Sequence, residues 1–178
     1  MKAETIKPLF SEQMIRKRVA ELGLTITEDY RETQQLTVLC VLKGAFIFTA
    51  DLVRNIRVPC SIEFLRASSY GNMTSSSGEV FIQHDLDISN KDVLVIEDIV
   101  DSGLTLQRII RELDSLGPSS LKVCALLDKP AARRYPVTIH YRGFSIQNVF
   151  VVGYGLDAGG KYRELPFIGT LEQLPCSS

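Results

Sequence analysis

Short apolar segments alternate with amphipathic ones along most of the chain, and this alternation limits the possible folds more than any other feature. Residues 36–42 and 92–99 are apolar on both faces, as central strands of a parallel sheet are. Residues 102–116 carry apolar side chains at the i, i+3, i+4, i+7 spacing of an amphipathic helix. Parallel strands that alternate with helices need crossover connections, which place helices on both faces of the sheet. We therefore predict an α/β fold with a parallel central sheet flanked by helices.

The remaining segments extend the same pattern. Further helices are predicted over 11–22 and 43–55, and further strands over 61–67, 121–127 and 148–152. Gly23 is expected to end the first helix, and Gly117 to end the helix over 102–116. Ligands of such sheets bind beyond the carboxyl ends of the strands. The loops that matter are therefore predicted to follow Leu42, Ile99, Leu127 and Val152.

The strongest local signal is the segment 93–105, Val-Leu-Val-Ile-Glu-Asp-Ile-Val-Asp-Ser-Gly-Leu-Thr. It is a buried strand followed by a small polar loop that opens a helix. A helix N-terminus offers free N–H groups and the positive end of the helix dipole, which suit a phosphate. The hydroxyls of Ser102 and Thr105 add donors, and Gly103 lets the backbone come close to an anion.

An acidic pair, Glu97 and Asp98, closes the strand ahead of this loop. Carboxylates accept hydrogen bonds from sugar hydroxyls, directly or through a divalent metal. The combined pattern predicts a sugar-phosphate site. The structural alternative is that Asp101 or Ser102 only caps the helix while the acidic pair is solvent-exposed.

Two other phosphate motifs do not fit. The G-x-x-x-x-G-K-[ST] loop is absent, because Gly103 is followed by Leu104 rather than lysine. Residues 153–158, Gly-Tyr-Gly-Leu-Asp-Ala, match G-x-G-x-x-A, but Gly159, Gly160 and Pro166 interrupt the helix that a dinucleotide fold requires.

Several residues at strand ends have both a structural and a functional interpretation. Lys43 and Gly44 are compatible with a helix start or with a second phosphate site. Lys129 resembles a surface lysine when taken alone. Phe150 alternates with valines, which indicates core packing, yet an aromatic near a strand end can also stack on a base.

The composition bounds the function class. The chain has 178 residues, enough for a single domain. Twenty basic and 21 acidic residues give a net charge of -1, and neither a basic stripe for nucleic acid nor a membrane-seeking segment is apparent. The four cysteines form no C-x-x-C pair and only two histidines are present, which disfavours a zinc site. We expect a reduced, cytoplasmic protein.

At these residues the sequence resembles the type I phosphoribosyltransferases, and within them the hypoxanthine (hypoxanthine-guanine) phosphoribosyltransferases. The segment 93–105 is similar to the family's phosphoribosyl-pyrophosphate signature. Further matching segments follow in the expected order at 42–44, 69–78, 127–129 and 150–163. The segments around Lys129 and 150–157 are those that select the 6-oxopurine branch.

The resemblance implies transfer of 5-phosphoribosyl from phosphoribosyl pyrophosphate to N9 of hypoxanthine or guanine, with Mg²⁺ and release of pyrophosphate. Asp101 would be the catalytic acid/base at N7 of the purine. The residues implied to bind phosphoribosyl pyrophosphate are Lys43, Gly44, Glu97, Asp98, Asp101, Ser102, Gly103, Leu104, Thr105 and Arg163. Those implied to bind the purine are Lys129, Phe150, Val151 and Asp157, and those implied to bind metal are Glu97, Asp98 and Asp157.

The resemblance also implies a small hood formed by the N-terminal segment and about 154–178, and a lid loop over about 68–80 that includes Ser69 and Tyr70. It further implies a homodimer or homotetramer and a cis peptide between Leu42 and Lys43.

One departure concerns the purine pocket, because Ala158-Gly159-Gly160 stands where the family usually has an aromatic. Base preference is therefore less constrained than reaction type. Xanthine is one alternative substrate, and a non-catalytic regulator that senses phosphoribosyl pyrophosphate and binds nucleic acid is the alternative function.

Overall fold

The computed structural model describes residues 4–66 and 86–173. Its strands are β1 (Glu4–Phe10), β2 (Leu36–Leu42), β3 (Cys60–Arg66), β4 (Asp92–Val100), β5 (Ser120–Asp128), β6 (Tyr141–Ser145), β7 (Val151–Val152) and β8 (Ile168–Gln173). Its helices are α1 (Glu12–Asp29), α2 (Phe46–Val53) and α3 (Leu104–Ser115), with a single 3₁₀ turn at Pro130–Ala132.

The predicted parallel sheet is confirmed, and it contains five strands in the order β3-β2-β4-β5-β6. The chain moves from β2 to β3 on one side and then continues with β4 on the other side of β2. The strand order therefore reverses between β2 and β4. In open α/β sheets the crevice at such a reversal, beyond the carboxyl ends of the strands, is where ligands bind.

The prediction of a central strand over 148–152 is wrong. Only Val151–Val152 is a strand there, and it pairs antiparallel with β8 in a second sheet. The fifth central strand is β6, which sequence periodicity missed because Arg142, Gly143 and Ser145 interrupt its apolar pattern.

The second sheet has the order β1-β8-β7 and is antiparallel. It joins the first described strand of the chain to the last one. A hood formed by both chain ends stays a prediction. The segment 153–167 lies between β7 and β8, and its Gly155 packs against Gly44, which follows the carboxyl end of β2.

Both faces of the central sheet are covered. One core cluster packs α1 and α2 against Val38, Cys40 and Leu94, and the other packs α3 against Leu39, Val41 and Val95. Successive strand residues thus enter opposite cores, which explains why β2 and β4 are apolar throughout.

The prediction that Gly23 ends the first helix is wrong. The helix α1 continues to Asp29 and Gly23 is buried within it. A Cβ on Gly23 would lie 2.5 Å from Cβ of Asn55, so glycine permits close approach of the chain after α2. Gly117, by contrast, follows α3 with φ of +69°, as predicted for a residue beyond a helix C-terminus.

None of the helices within the described ranges combines the length and apolar character needed to cross a membrane.

Candidate active site

The helix α3 begins at Leu104, two residues later than the sequence suggested, and Gly103 is its N-cap residue. Gly103 has φ of +86°, a left-handed conformation that favours glycine. Neither Asp101 nor Ser102 is the N-cap, and the Leu104 N–H lies a long 3.4 Å from Oγ of Ser102. The helix start with Thr105 is therefore available to an anion.

The acidic pair is buried at the end of β4. Glu97 is only 8% exposed and Asp98 is half-buried, so the alternative of a solvent-exposed pair is wrong. Burial raises the pKa of Glu97 well above its usual value, and the adjacent charge of Asp98 raises it further. Burial also raises the pKa of Asp98. A ligand that brings hydroxyl donors or positive charge would stabilise the ionised pair.

Gly44 lies directly against this pair. A Cβ on Gly44 would stand 1.5 Å from Oδ2 of Asp98, so the backbone there leaves room only for glycine. The peptide bond between Leu42 and Lys43 is cis, as the resemblance implied, and Lys43 is exposed. The loop after β2 and the end of β4 thus meet at the reversal of strand order.

A third loop, the segment 153–163, packs onto the first two. Gly155 has φ of +100°, and a Cβ there would lie 2.1 Å from the carbonyl oxygen of Gly44. Arg163 donates to the Gly155 carbonyl at 2.6 Å and forms an ion pair with Asp157 at 2.6 Å. Its positive charge also acts on Asp98, lowering the pKa of that carboxyl against the effect of burial. An open cleft beside this loop is lined by Leu42, Lys43, Phe46, Phe64 and Arg163.

Asp101 and Lys129 come from neighbouring strand ends and form an ion pair. Nζ of Lys129 lies 3.2 Å from Oδ2 of Asp101. Lys129 is only 6% exposed, so its interpretation as a surface lysine is wrong. The side chain of Asp101 is 54% exposed, which leaves it open to a ligand.

Phe150 and Val151 complete the residues that were predicted to bind a base. Phe150 is 58% exposed, so core packing does not explain it. Val151 is buried in β7, paired with Thr170 of β8. Main-chain pairing holds the backbone beside Phe150 while its ring is free for contact.

Replacing Phe150 with alanine tests a stacking role. Because the ring is mostly exposed, the free energy of unfolding should change by less than about 0.5 kcal/mol. Loss of stacking should weaken binding of a purine nucleotide by about 1–3 kcal/mol, roughly 5- to 150-fold, as measured by calorimetric titration. Leu24→Ala, at a similarly exposed apolar position (57%) on α1, is the matched control and should leave affinity unchanged. An unaltered affinity in Phe150→Ala would remove Phe150 from the site.

The residues 153–158 form tight turns with bridges Gly153–Leu156 and Ala158–Lys161, in place of the helix that a dinucleotide motif would start. Ser69, Tyr70 and the lid loop predicted over 68–80 lie outside the described residues.

Two residues next to the candidate site, Asp128 and Arg133, were missed as functional candidates in the sequence. Asp128 is 2% exposed and forms ion pairs with Arg133 and Arg142. Arg133 in turn contacts the loop before α3. The available signal in the sequence was an acidic residue that follows the apolar run 123–127 and directly precedes Lys129.

The carboxylates fit Mg²⁺ only as part of its coordination shell. No group of three or more His, Cys, Asp or Glu side chains within 4–66 and 86–173 forms a metal cage. Mg²⁺ usually takes one or two protein carboxylates and fills its shell with water and substrate phosphates. Glu97 and Asp98 supply two adjacent carboxylates at the end of β4, which matches that partial role.

Comparisons with known proteins show which proteins the chain is similar to. Residues 7–158 match the family described as phosphoribosyl transferase domain. A hypoxanthine-guanine phosphoribosyltransferase of Mycobacterium tuberculosis is 53% identical over 92% of this chain and 85% of its own length. One from Dictyostelium discoideum is 48% identical over 93% and 94%, respectively. A crystal structure of a hypoxanthine phosphoribosyltransferase from Staphylococcus aureus superposes with a TM-score of 0.88 at 43% identity, covering 93% of this chain and 91% of the other.

Proposed function

The chain belongs to the phosphoribosyltransferase family, and we propose on that premise that it is a purine salvage enzyme. It transfers 5-phosphoribosyl from phosphoribosyl pyrophosphate to N9 of hypoxanthine and guanine, giving the nucleoside monophosphate and pyrophosphate. The observation that carries the proposal is the ion pair of Asp101 and Lys129, 3.2 Å long, beside the open N-terminus of α3. This arrangement places a group that can transfer a proton (Asp101) and a hydrogen-bond donor for the base (Lys129) next to a site for a phosphate.

The phosphoribosyl group binds along the end of β4 and the start of α3. The N–H groups of the loop 102–105 and the hydroxyls of Ser102 and Thr105 hold the 5′-phosphate. Glu97 and Asp98 accept hydrogen bonds from the ribose hydroxyls, which suits two buried carboxylates with raised pKa values. Leu104 contributes its backbone N–H to the same cradle.

The purine binds over Asp101, Lys129 and Phe150. Lys129 donates to the 6-oxo group, a preference that disfavours adenine because its 6-amino group is itself a donor. Asp101 holds or transfers the proton at N7. Phe150 stacks on the ring, and the backbone of Val151 contacts the edge of the base.

The pyrophosphate binds between the loop after β2 and the segment 153–163. Lys43, the Gly44 N–H and Arg163 supply the positive charge and donors there. Support for this assignment is that Gly44 packs against both Asp98 and Gly155, so all three loops share one crevice.

The cofactor of the proposed reaction is Mg²⁺, and Glu97, Asp98 and Asp157 are the residues that would hold it. When bound, it neutralises charge that develops on the leaving pyrophosphate. Asp157 is already oriented for such contact, because Gly160 N–H and Arg163 each donate to one of its oxygens.

The enzyme is a single domain that assembles into a homodimer or homotetramer. Exposed apolar side chains at Phe46, Ile62 and Phe64 support an interface between copies on α2 and β3. Light scattering coupled to size-exclusion chromatography measures the mass directly, and a monomer at micromolar concentration would contradict this proposal.

Replacing Lys129 with alanine is expected to weaken discrimination among bases while leaving affinity for phosphoribosyl pyrophosphate nearly unchanged. The reason is that Lys129 reads the base, whereas the donor is held at 97–105. The measurement is KM for phosphoribosyl pyrophosphate and for hypoxanthine, together with the rate with adenine relative to the rate with hypoxanthine. Lys91→Ala, ahead of β4 at the opposite end of the sheet, is the control. Loss of donor affinity with unchanged selectivity would contradict the assignment of Lys129.

The function is tested by initial rates with phosphoribosyl pyrophosphate and Mg²⁺ against hypoxanthine, guanine, xanthine, adenine and uracil in parallel. Turnover confined to hypoxanthine and guanine is the expected result. Turnover of xanthine instead would keep the reaction and change the specificity, and it would point to Ala158-Gly159-Gly160 as the cause. No turnover with any base, in folded protein, would contradict an enzymatic function.

A further inference from the structure

The carbonyl groups of residues 100, 101 and 102, which precede the N-cap of α3, accept hydrogen bonds from one segment, residues 129–135, which we call the brace. The Val100 carbonyl accepts from the Lys129 N–H at 3.0 Å and from Nη2 of Arg133 at 3.2 Å. The Asp101 carbonyl accepts from Nε of Arg133 at 3.1 Å. The Ser102 carbonyl accepts from the N–H groups of Arg134 and Tyr135, both at 3.0 Å.

This pattern matters because an anion site built from backbone needs its N–H groups facing the ligand. A carbonyl that turned toward a phosphate would repel it. Because the carbonyls of residues 100, 101 and 102 accept hydrogen bonds from the brace, they are held toward the brace. The N–H groups of the loop can then face an anion.

Arg133 also fills the space under the loop. A Cβ on Gly103 would lie 2.9 Å from Cδ of Arg133 and 2.5 Å from the carbonyl oxygen of Tyr135. The side chain of Arg133 is therefore packed beneath the residue that starts α3, and its own exposure is only 17%.

Asp128 anchors Arg133 in this position. Its carboxylate is 2% exposed and pairs with Nη2 of Arg133 through one oxygen and with Nε of Arg142 at 2.8 Å through the other. The guanidinium thus bridges a buried carboxylate and two carbonyls. Its planar array of N–H donors suits this task, whereas a lysine ammonium is a single point charge on a differently shaped stem.

We propose that Arg133, held by Asp128, is a positioning residue that orients the loop 101–104 for the 5′-phosphate. Because Lys129 belongs to the brace, the same segment ties base recognition to phosphate binding. The proposal rests on the proposed function and deepens it, since Arg133 acts on the phosphate part of the substrate through the backbone and does not touch the substrate.

The test compares binding of inosine 5′-monophosphate (IMP) with binding of inosine, which lacks the phosphate, by calorimetric titration. The dissociation constant of inosine divided by that of IMP measures the contribution of the 5′-phosphate alone. In Arg133→Gln this ratio is expected to fall at least about tenfold through weaker binding of IMP, with inosine nearly unaffected. Arg133→Lys should give an intermediate ratio.

Arg142→Gln is the matched control. It removes the other ion pair of Asp128, but Arg142 is half exposed and its side chain makes no hydrogen bond to the loop before α3 within the described residues. This variant should keep the wild-type ratio and the wild-type KM for phosphoribosyl pyrophosphate.

The outcomes separate the two claims. An unchanged ratio in Arg133→Gln, or equal weakening of IMP and inosine, would overturn the positioning role while wild-type turnover still supports the proposed function. If Arg133→Gln does not fold, Arg133→Lys decides, and a wild-type ratio in it overturns the proposal. Wild-type protein that neither binds IMP nor turns over hypoxanthine would overturn both.

Discussion

Asp101→Asn is expected to lower kcat by roughly 10²-fold or more while affinity for phosphoribosyl pyrophosphate stays nearly unchanged. Asparagine preserves the shape of the side chain and one acceptor oxygen, but it replaces the other oxygen with an NH₂ donor and cannot take up a proton at neutral pH. The carboxylate of Asp101 is open to ligand and lies 3.2 Å from Nζ of Lys129, so the variant removes the proton-transfer group and leaves the phosphate cradle in place.

The measurement is steady-state kinetics with hypoxanthine, together with direct titration of the donor. Asp114→Asn, an exposed aspartate near the far end of α3, is the matched control and should behave as wild type. A kcat within a factor of two of wild type in Asp101→Asn would remove Asp101 from acid/base chemistry.

Gly44→Ala should raise KM for phosphoribosyl pyrophosphate by about 10²-fold, the scale of loss when a site is displaced by 1 Å. The added Cβ would overlap Oδ2 of Asp98 at 1.5 Å, so either the carboxylate or the loop after β2 must move. The Asp98 carboxylate and the loop after β2 are both proposed to bind phosphoribosyl pyrophosphate. The purine side of the site, around Lys129, is not in contact with this change, so affinity for IMP should fall less than affinity for the donor.

Gly159→Ala is the control for the glycine substitution. Gly159 lies in the loop that carries Asp157, and a Cβ there meets nothing within 4 Å, although φ is +59°. It should cost some stability but leave KM for the donor within a few-fold of wild type. Equal effects of the two substitutions would show that general loop strain, rather than displacement of Asp98, is responsible.

The sequence predicts the central sheet well because both faces of β2 and β4 are buried. Their continuous apolar runs have no other explanation at that length, and β2 was predicted with its observed bounds. The short strand β7 and the interrupted strand β6 lack such a run, so pairing partners rather than local pattern determine them. The end of α1 was predicted wrongly at Gly23 because it also depends on tertiary contacts. A glycine required by close contact with Asn55 cannot be told in the sequence from a glycine that ends a helix.

Several features of the candidate site could be predicted only in part. The loop 101–105 could be predicted because its signals, a strand, a glycine and a helix start, are adjacent in the chain. The burial of Lys129 and its pairing with Asp101 depend on two strands lying side by side, which residue type alone does not reveal. Arg133 was missed for a related reason: its partners are mostly backbone carbonyls 30 or so residues away, and these leave no mark in the sequence.

The most direct test of the account is a crystal structure of the protein with bound IMP. We predict the 5′-phosphate at the N–H groups of 102–105, the 6-oxo group within hydrogen-bond distance of Nζ of Lys129, and N7 facing Asp101. The ribose hydroxyls should face Glu97 and Asp98, with the ring of Phe150 against the base. A nucleotide bound with its phosphate away from the start of α3, or with its base remote from Lys129, would contradict the account.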